Sequence, residues 1–260
     1  MIKGKEGGYR QWLVPEPKAV FLLVHGLGAH SGRWEAAADF FMKRGISSYA
    51  VELGKPEGLA SYNSKVLRLH DIAKRDNPAK KIFLVGESLG AITSFHVCAE
   101  RPGLFDALVC ISPAFAARQR LAPLDYISML TGLFFDPGKQ FTLPFDSSMC
   151  TRDIEYRTKL DHDPDEYRAI PAKKTFEILL AQRRAAASGK SMLTPVLFLI
   201  AGEDKIADAA SAEAVFSKLA AKDKALVKFP GMYHSLSIDL GKEAVFEEIL
   251  KWAGKRMGAT

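Results

Sequence analysis

Three side chains in this sequence have the types and the placement to do chemistry together: a serine between two glycines, a late histidine, and an aspartate between them. Gly86-Glu87-Ser88-Leu89-Gly90 follows the apolar run Lys81-Ile82-Phe83-Leu84-Val85 and precedes a helix-like stretch from Ala91 to Arg101. G-x-S-x-G in that context places the serine on a sharp strand-to-helix turn, where a side chain at either glycine would collide with the adjoining elements. Ser88 is thereby lifted clear of the strand as a candidate nucleophile. A serine hydroxyl is a weak nucleophile at neutral pH, so it needs a base in hydrogen-bond reach and a group that fixes the tautomer of that base.

Of the six histidines, His25 and His30 flank an early loop, His70 and His96 fall on predicted helices, and His162 lies in an irregular middle segment. Only His234, in Gly231-Met232-Tyr233-His234-Ser235, follows directly on the last predicted strand. Parallel strands share their carboxyl ends, so that loop and the turn after Val85 emerge on one rim. The acid is expected on the same rim, where the run Val196 to Ala201 leads into Gly202-Glu203-Asp204-Lys205-Ile206-Ala207-Asp208. Asp204 is the candidate and Glu203 the alternative, while Asp208 suits the N-cap of the following helix. The turn after Ile111, Ser112-Pro113-Ala114, offers no carboxylate.

The elements that must hold these residues alternate. A first edge strand is expected over Tyr9 to Val14, followed by Ala19–Val24 as a buried central strand ending in His25-Gly26-Leu27-Gly28. Ser31 is a plausible N-cap for a helix with Trp34, Ala38, Phe41 and Met42 on one face, stopped by Gly45. A strand over Ile46 to Leu53, a helix over Ser61 to Asp76, the strand before Ser88 and a strand over Ala107 to Ile111 follow. After a helix near Lys173 to Ala187 come a strand Val196 to Ala201, a helix Ala209 to Ala221, a strand Leu226 to Phe229 and a helix Lys242 to Met257. The spacing predicts an α/β fold with a mostly parallel central sheet and helices on both faces.

Ser112-Pro113 interrupts the alternation. The core is expected over residues 1–113 and 172–260, with 114–171 as a cap inserted beyond the carboxyl end of a strand, over the crevice where ligands bind. Leu121, Leu124, Ile127, Met129, Leu130, Leu133, Phe134 and Phe135 are spaced for a helix with one apolar face. Leu130, Phe134 and Phe135 are the expected substrate-binding wall, and such a cap would allow transient contact with a membrane surface.

Composition narrows the classes. The 260 residues are 48% hydrophobic and 25% charged, with a net charge of +6. The lysines and arginines are scattered, with pairs at most, so a solvated basic surface is expected rather than a nucleic-acid site. Cys98, Cys110 and Cys150 have no C-x-x-C spacing, and no histidine or cysteine is spaced to join His25 around zinc, so no metal, no cofactor and no disulfide framework is expected. With no signal peptide and no apolar run near the ~20 residues that span a bilayer, a soluble, cytoplasmic protein is expected.

The order Ser88, Asp204, His234 is that of the α/β hydrolases among serine hydrolase folds. In that arrangement the backbone N–H groups of Leu89 and of Leu27 supply the oxyanion donors, and His25 holds the loop that carries Leu27. The stretches His25-Gly26-Leu27-Gly28-Ala29-His30-Ser31-Gly32-Arg33-Trp34, Gly86–Gly90, Gly202–Asp208 and Pro230–His234 resemble the monoacylglycerol lipase and lysophospholipase branch of that superfamily, over nearly the whole chain. The resemblance implies Ser88 as nucleophile, His234 as base, Asp204 as acid, and Leu27 and Leu89 as oxyanion donors. It implies a serine hydrolase cleaving carboxylic esters of a single acyl chain, with a lipid or small-molecule ester as substrate. An aminopeptidase or amidase and a non-catalytic ligand-binding homologue are the alternatives. The chain departs from the branch at Ala29, usually acidic there, and at Val51-Glu52-Leu53-Gly54-Lys55-Pro56, where an Arg-Gly-x-Gly loop is usual, so head-group contacts are not carried over.

Overall fold

The computed structural model describes residues 2–54, 58–119, 131–132 and 134–258. In chain order its strands are β1 (Ile2–Glu6), β2 (Tyr9–Leu13), β3 (Ala19–Val24), β4 (Ile46–Val51), β5 (Ile82–Glu87), β6 (Ala107–Ile111), β7 (Gln140–Thr142), β8 (Ala169–Pro171), β9 (Val196–Ala201) and β10 (Lys224–Phe229). Eight of them form one sheet in the order β1-β2-β4-β3-β5-β6-β9-β10. β2 runs antiparallel to β1 and to β4, and from β4 to β10 every pairing is parallel. This is the α/β-hydrolase fold. The edge expected at Tyr9 is therefore one strand in from the edge, because β1, a polar run with a glycine, pairs along its length with β2.

The central strands are apolar throughout because both faces are covered. Along β3, Val20, Leu22 and Val24 join one core while Ala19, Phe21 and Leu23 join the other. The first core is closed by α2 (Leu59–Asp76), α3 (Leu89–Glu100), Ala185 of α6 (Ala172–Ser188) and Ala212 of α7 (Ala209–Ser217). The second is closed by α1 (Glu35–Met42) and α8 (Lys242–Met257). Ser31 does not cap α1. It opens a short 3-10 turn, Ser31–Trp34, whose cap is the His30 ring, and its hydroxyl donates to Glu52 at 2.7 Å.

Between β6 and α6 the chain leaves the sheet. Its described part holds the two-stranded antiparallel sheet β7-β8 and two short helices, α4 (Ser147–Cys150) and α5 (Ile154–Asp161). This segment is tied to three loops at the carboxyl rim of the sheet. Arg118 N donates to Ile206 O and Asp208 N to Ala116 O, Ser235 N donates to Cys150 O, and Tyr167 N donates to Gly28 O. Of the apolar stretch expected to form a helix, Leu121 to Leu130 and Leu133 lie outside the described residues. Among the described residues, no helix is long and apolar enough to cross a membrane.

Candidate active site

Ser88 follows β5 with φ +58°, a region disfavoured for a residue with a side chain and associated with functional turns. The surrounding packing enforces it. A Cβ on Gly90 would run into the carbonyl oxygens of Val24 and His25, and one on Gly86 into the Gly90 carbonyl. Only glycines let β5, α3 and the end of β3 approach this closely. Ser88 caps α3 without a side-chain hydrogen bond to the helix, which leaves its hydroxyl for another partner.

That partner is His234. Its Nε2 lies 2.9 Å from Ser88 Oγ, and its Nδ1 lies 3.0 and 2.8 Å from the two oxygens of Asp204. A carboxylate only accepts, so Nδ1 carries the proton and Nε2 is left to accept from the serine. Asp204 is itself oriented by the backbone N–H groups of Ile206 and Ala207, both 2.8 Å from Oδ1. Burial works against the charge on each of the pair, but their mutual attraction outweighs it. Asp204 is held below the usual carboxylate range and His234 above the ordinary histidine value. Glu203, the alternative acid, is exposed. Asp208 accepts from Ala210 N and caps α7, as its position suggests.

Leu27 and Leu89 line, with Ser88, a cavity of about 420 Å³. Among the described residues neither backbone N–H is taken by another protein group, so both are free to meet a developing oxyanion. Beyond them the cavity is walled by Phe141, Leu143 and Phe145, by Ile178 and Leu179 of α6, and by Ile206. Two of the three residues expected to form the substrate wall are described, and neither is part of this lining. Phe134 and Phe135 are 76% and 87% exposed and do not line the cavity, and Leu130 lies outside the described residues. An apolar stripe marks a face that can be buried without saying against what, and among the described residues β7-β8 and α6 line the cavity.

His25 plays the loop-holding part. Leu53 N donates to its Nε2 at 3.1 Å and its Nδ1 lies 2.9 Å from Gly26 O. Among the described residues, no group of three His, Cys, Asp or Glu could hold a metal ion. The described cysteines are free and buried.

Several polar residues around the site carry no motif signal. Glu52, where the sequence departs from its resemblance, accepts from Ser31 N and Oγ. Burial works against its charge, but His25 and Ser31 outweigh it and hold the Glu52 carboxyl at about 2. Arg33 forms a buried ion pair with Glu166 of the inserted segment, and His30 Nε2 lies 2.9 Å from Asp163 of the same segment. Glu87, inside the G-x-S-x-G stretch, is buried and accepts from Ser237 N and Oγ at 3.0 and 2.8 Å. Burial pushes its carboxyl above the usual range despite these bonds. Long-range pairing between loops leaves no local pattern, so spacing could not have found them.

Residues 15–241 match the family described as serine aminopeptidase, S33. The chain belongs to that family. Across the S33 chain, human monoglyceride lipase is 30% identical over 92% of this sequence and 84% of its own. Monoacylglycerol lipase of Mycolicibacterium smegmatis is 24% identical over 91% and 88%. Among solved structures, Paleococcus ferrophilus monoacylglycerol lipase superposes with a TM-score of 0.84, at 23% identity over 97% of this chain and 98% of that one. Monoglyceride lipase of Saccharomyces cerevisiae, solved with a substrate analogue, gives 0.84 at 17% identity over 99% and 96%. At these identities the two structures establish the fold.

Proposed function

We propose that this chain, a carboxylic ester hydrolase, cleaves esters of a single acyl chain, such as monoacylglycerols or lysophospholipids, through an acyl-enzyme on Ser88. The observation that carries the reading is Ser88, whose Oγ lies 2.9 Å from His234 Nε2, in the lining of a mostly apolar cavity of about 420 Å³. Residues 114–171 act as the cap that, with α6, walls this cavity, and each CH₂ of a chain buried there would contribute ~0.8 kcal/mol.

His234 takes the Ser88 proton as Oγ adds to the ester carbonyl, and the N–H groups of Leu27 and Leu89 receive the oxyanion. The tetrahedral intermediate collapses as His234 returns the proton to the departing alcohol, leaving the acyl group on Oγ. Water then adds with His234 again as base, and the fatty acid leaves as Ser88 regains its proton. Asp204 holds the imidazole tautomer and balances the charge of the imidazolium throughout.

The family's description keeps an aminopeptidase reading open, and the cavity lining argues against it. A peptide's terminal ammonium needs a carboxylate to receive it, and among the described lining residues the one charged group is Lys205. The test is turnover of monoacylglycerols, lysophospholipids and graded p-nitrophenyl esters beside aminoacyl anilides, with fluorophosphonate labelling of wild type and Ser88→Ala. Ester turnover and labelling that vanish in the variant support the reading. Faster anilide hydrolysis, or activity that survives Ser88→Ala, overturns it.

A further inference from the structure

β5 is apolar from Ile82 to Val85 and then, one residue before the nucleophile, buries a carboxylate. An apolar side chain would be accommodated there without the cost of taking a carboxylate out of water. The structure shows what the carboxylate does instead. Oε1 accepts from Ser237 N at 3.0 Å and Oε2 from Ser237 Oγ at 2.8 Å, so its two oxygens satisfy two converging donors of one residue. Ser237 stands three residues beyond His234 in the same loop.

The two contacts close a ring. Ser88 Oγ meets His234 Nε2 on one side, Glu87 meets Ser237 on the other, and the backbone joins Ser88 to Glu87 and His234 to Ser237. The histidine loop has further anchors, among them Tyr233 N on Asp239 Oδ2 at 2.7 Å, Ser235 N on Cys150 O at 2.9 Å, Glu203 N on Met232 O at 2.9 Å and Thr151 Oγ1 on Ile238 O at 3.3 Å. None of these ties reaches β5. Among the described residues, the Glu87–Ser237 link refers the loop to the strand that leads into the nucleophile.

We infer that Glu87 is a positioning residue, which through Ser237 fixes the His234 loop against the turn that carries Ser88. Its hydrogen bonds go to Ser237 and not to Ser88 or His234, so the inferred effect falls on the base-to-nucleophile geometry. An amide in its place can keep both links, accepting from Ser237 N–H through its oxygen and donating to Ser237 Oγ through its NH₂. An alanine keeps neither.

This inference rests on the ester-hydrolase reading, so its test uses a short soluble ester, p-nitrophenyl butyrate, with fluorophosphonate labelling rates beside it. Glu87→Ala, verified as folded by circular dichroism, should lower kcat by about 10- to 100-fold with KM within about two-fold of wild type, the pattern of a misplaced catalytic group. Glu87→Gln should restore kcat to within about three-fold of wild type, and Ser237→Ala, which keeps the backbone link, should fall between. A folded Glu87→Ala variant with wild-type kcat overturns the inference, as does a Glu87→Gln variant as impaired as the alanine. Should Glu87→Ala fail to fold, an undiminished kcat in Ser237→Ala overturns it. A wild-type protein that neither hydrolyses nor labels defeats the functional reading and this inference with it. An active wild type with an indifferent Glu87→Ala defeats this inference alone.

Discussion

Asp204 faces His234 with both carboxylate oxygens, at 3.0 and 2.8 Å from Nδ1, while two backbone N–H groups grip its Oδ1 from behind. The acid is thus locked in place before it acts on the histidine. In Asp204→Asn the charge that supports the imidazolium is lost and the amide can present a donor to Nδ1, so kcat should fall by roughly 10³- to 10⁴-fold with the fold intact. Glu203→Gln, at an exposed position, should change kcat little. Steady-state kinetics on the two variants decides, and reversed sensitivities would move the acid role to Glu203.

The same pair sets the pH dependence. His234 must be neutral to act as base, and Asp204 holds its pKa above the ordinary ~6.5. The acidic limb of kcat/KM in the free enzyme should therefore lie above that value and move to lower pH in Asp204→Asn. The stability linkage has the same origin. A raised histidine contributes stability that is present below its unfolded pKa and lost as pH rises through its folded one. A wild-type limb at or below pH ~6.5 would contradict the charge coupling.

The rim residues were legible because each follows an apolar run that had to be a strand, and parallel strands deliver their loops to one edge. Most central strands, each preceded by Gly, Pro or a charged residue, were readable for the same reason. β1 was not, because Ile2-Lys3-Gly4-Lys5-Glu6 has a strand's pairing without a strand's apolar face. β7 and β8 are three residues each, below the length at which a period of two can show. Glu52, Glu87 and Glu166 were invisible for a different reason: a buried carboxylate is defined by partners tens to more than a hundred residues away. Helix ends moved for local reasons, as at α7, where Lys224 reaches the Phe216 and Leu219 carbonyls and the helix stops at Ser217.

Glu52 makes an acid-stability prediction. Its carboxyl is lowered from 4.5 to about 2 by His25 and Ser31 acting against burial. A depressed carboxylate contributes stability that is fully present above its unfolded value and lost as pH falls through its folded one. Glu52→Gln should therefore lower Tm at pH 7, and the gap to wild type should shrink as pH falls from 4.5 towards about 2. A gap that stays constant across that window would show that the charge is not what stabilises the loop.

Glu166 is 1% exposed at its side chain and pairs with Arg33, itself 10% exposed. Removing one member of a buried pair leaves the other charge out of water and unpaired, at a cost of about 3–5 kcal/mol. Glu166→Ala should lose that much in urea unfolding, and Arg33→Met/Glu166→Leu, which removes both charges, should recover a large part of it. Equal losses in the single and double variants would mean that the site tolerates an unpaired charge.

Chain-length selectivity should reside in the wall the structure shows rather than in Phe134 and Phe135. Leu179 on α6 faces the cavity beside Ile178, and tryptophan in its place would take volume that an acyl chain would otherwise fill. At ~0.8 kcal/mol per excluded CH₂, Leu179→Trp should lower kcat/KM by about four-fold for each methylene that no longer fits, while butyrate esters, which stop near Ser88, keep their rates. Phe134→Ser removes an exposed ring outside the wall, so its ratio of long-chain to short-chain kcat/KM should match wild type. The measurement is that ratio across p-nitrophenyl esters from butyrate to palmitate. If Leu179→Trp lowers all esters alike, the cavity is not the acyl site. If Phe134→Ser alone shifts the ratio, the chain passes over the exposed face of the cap instead.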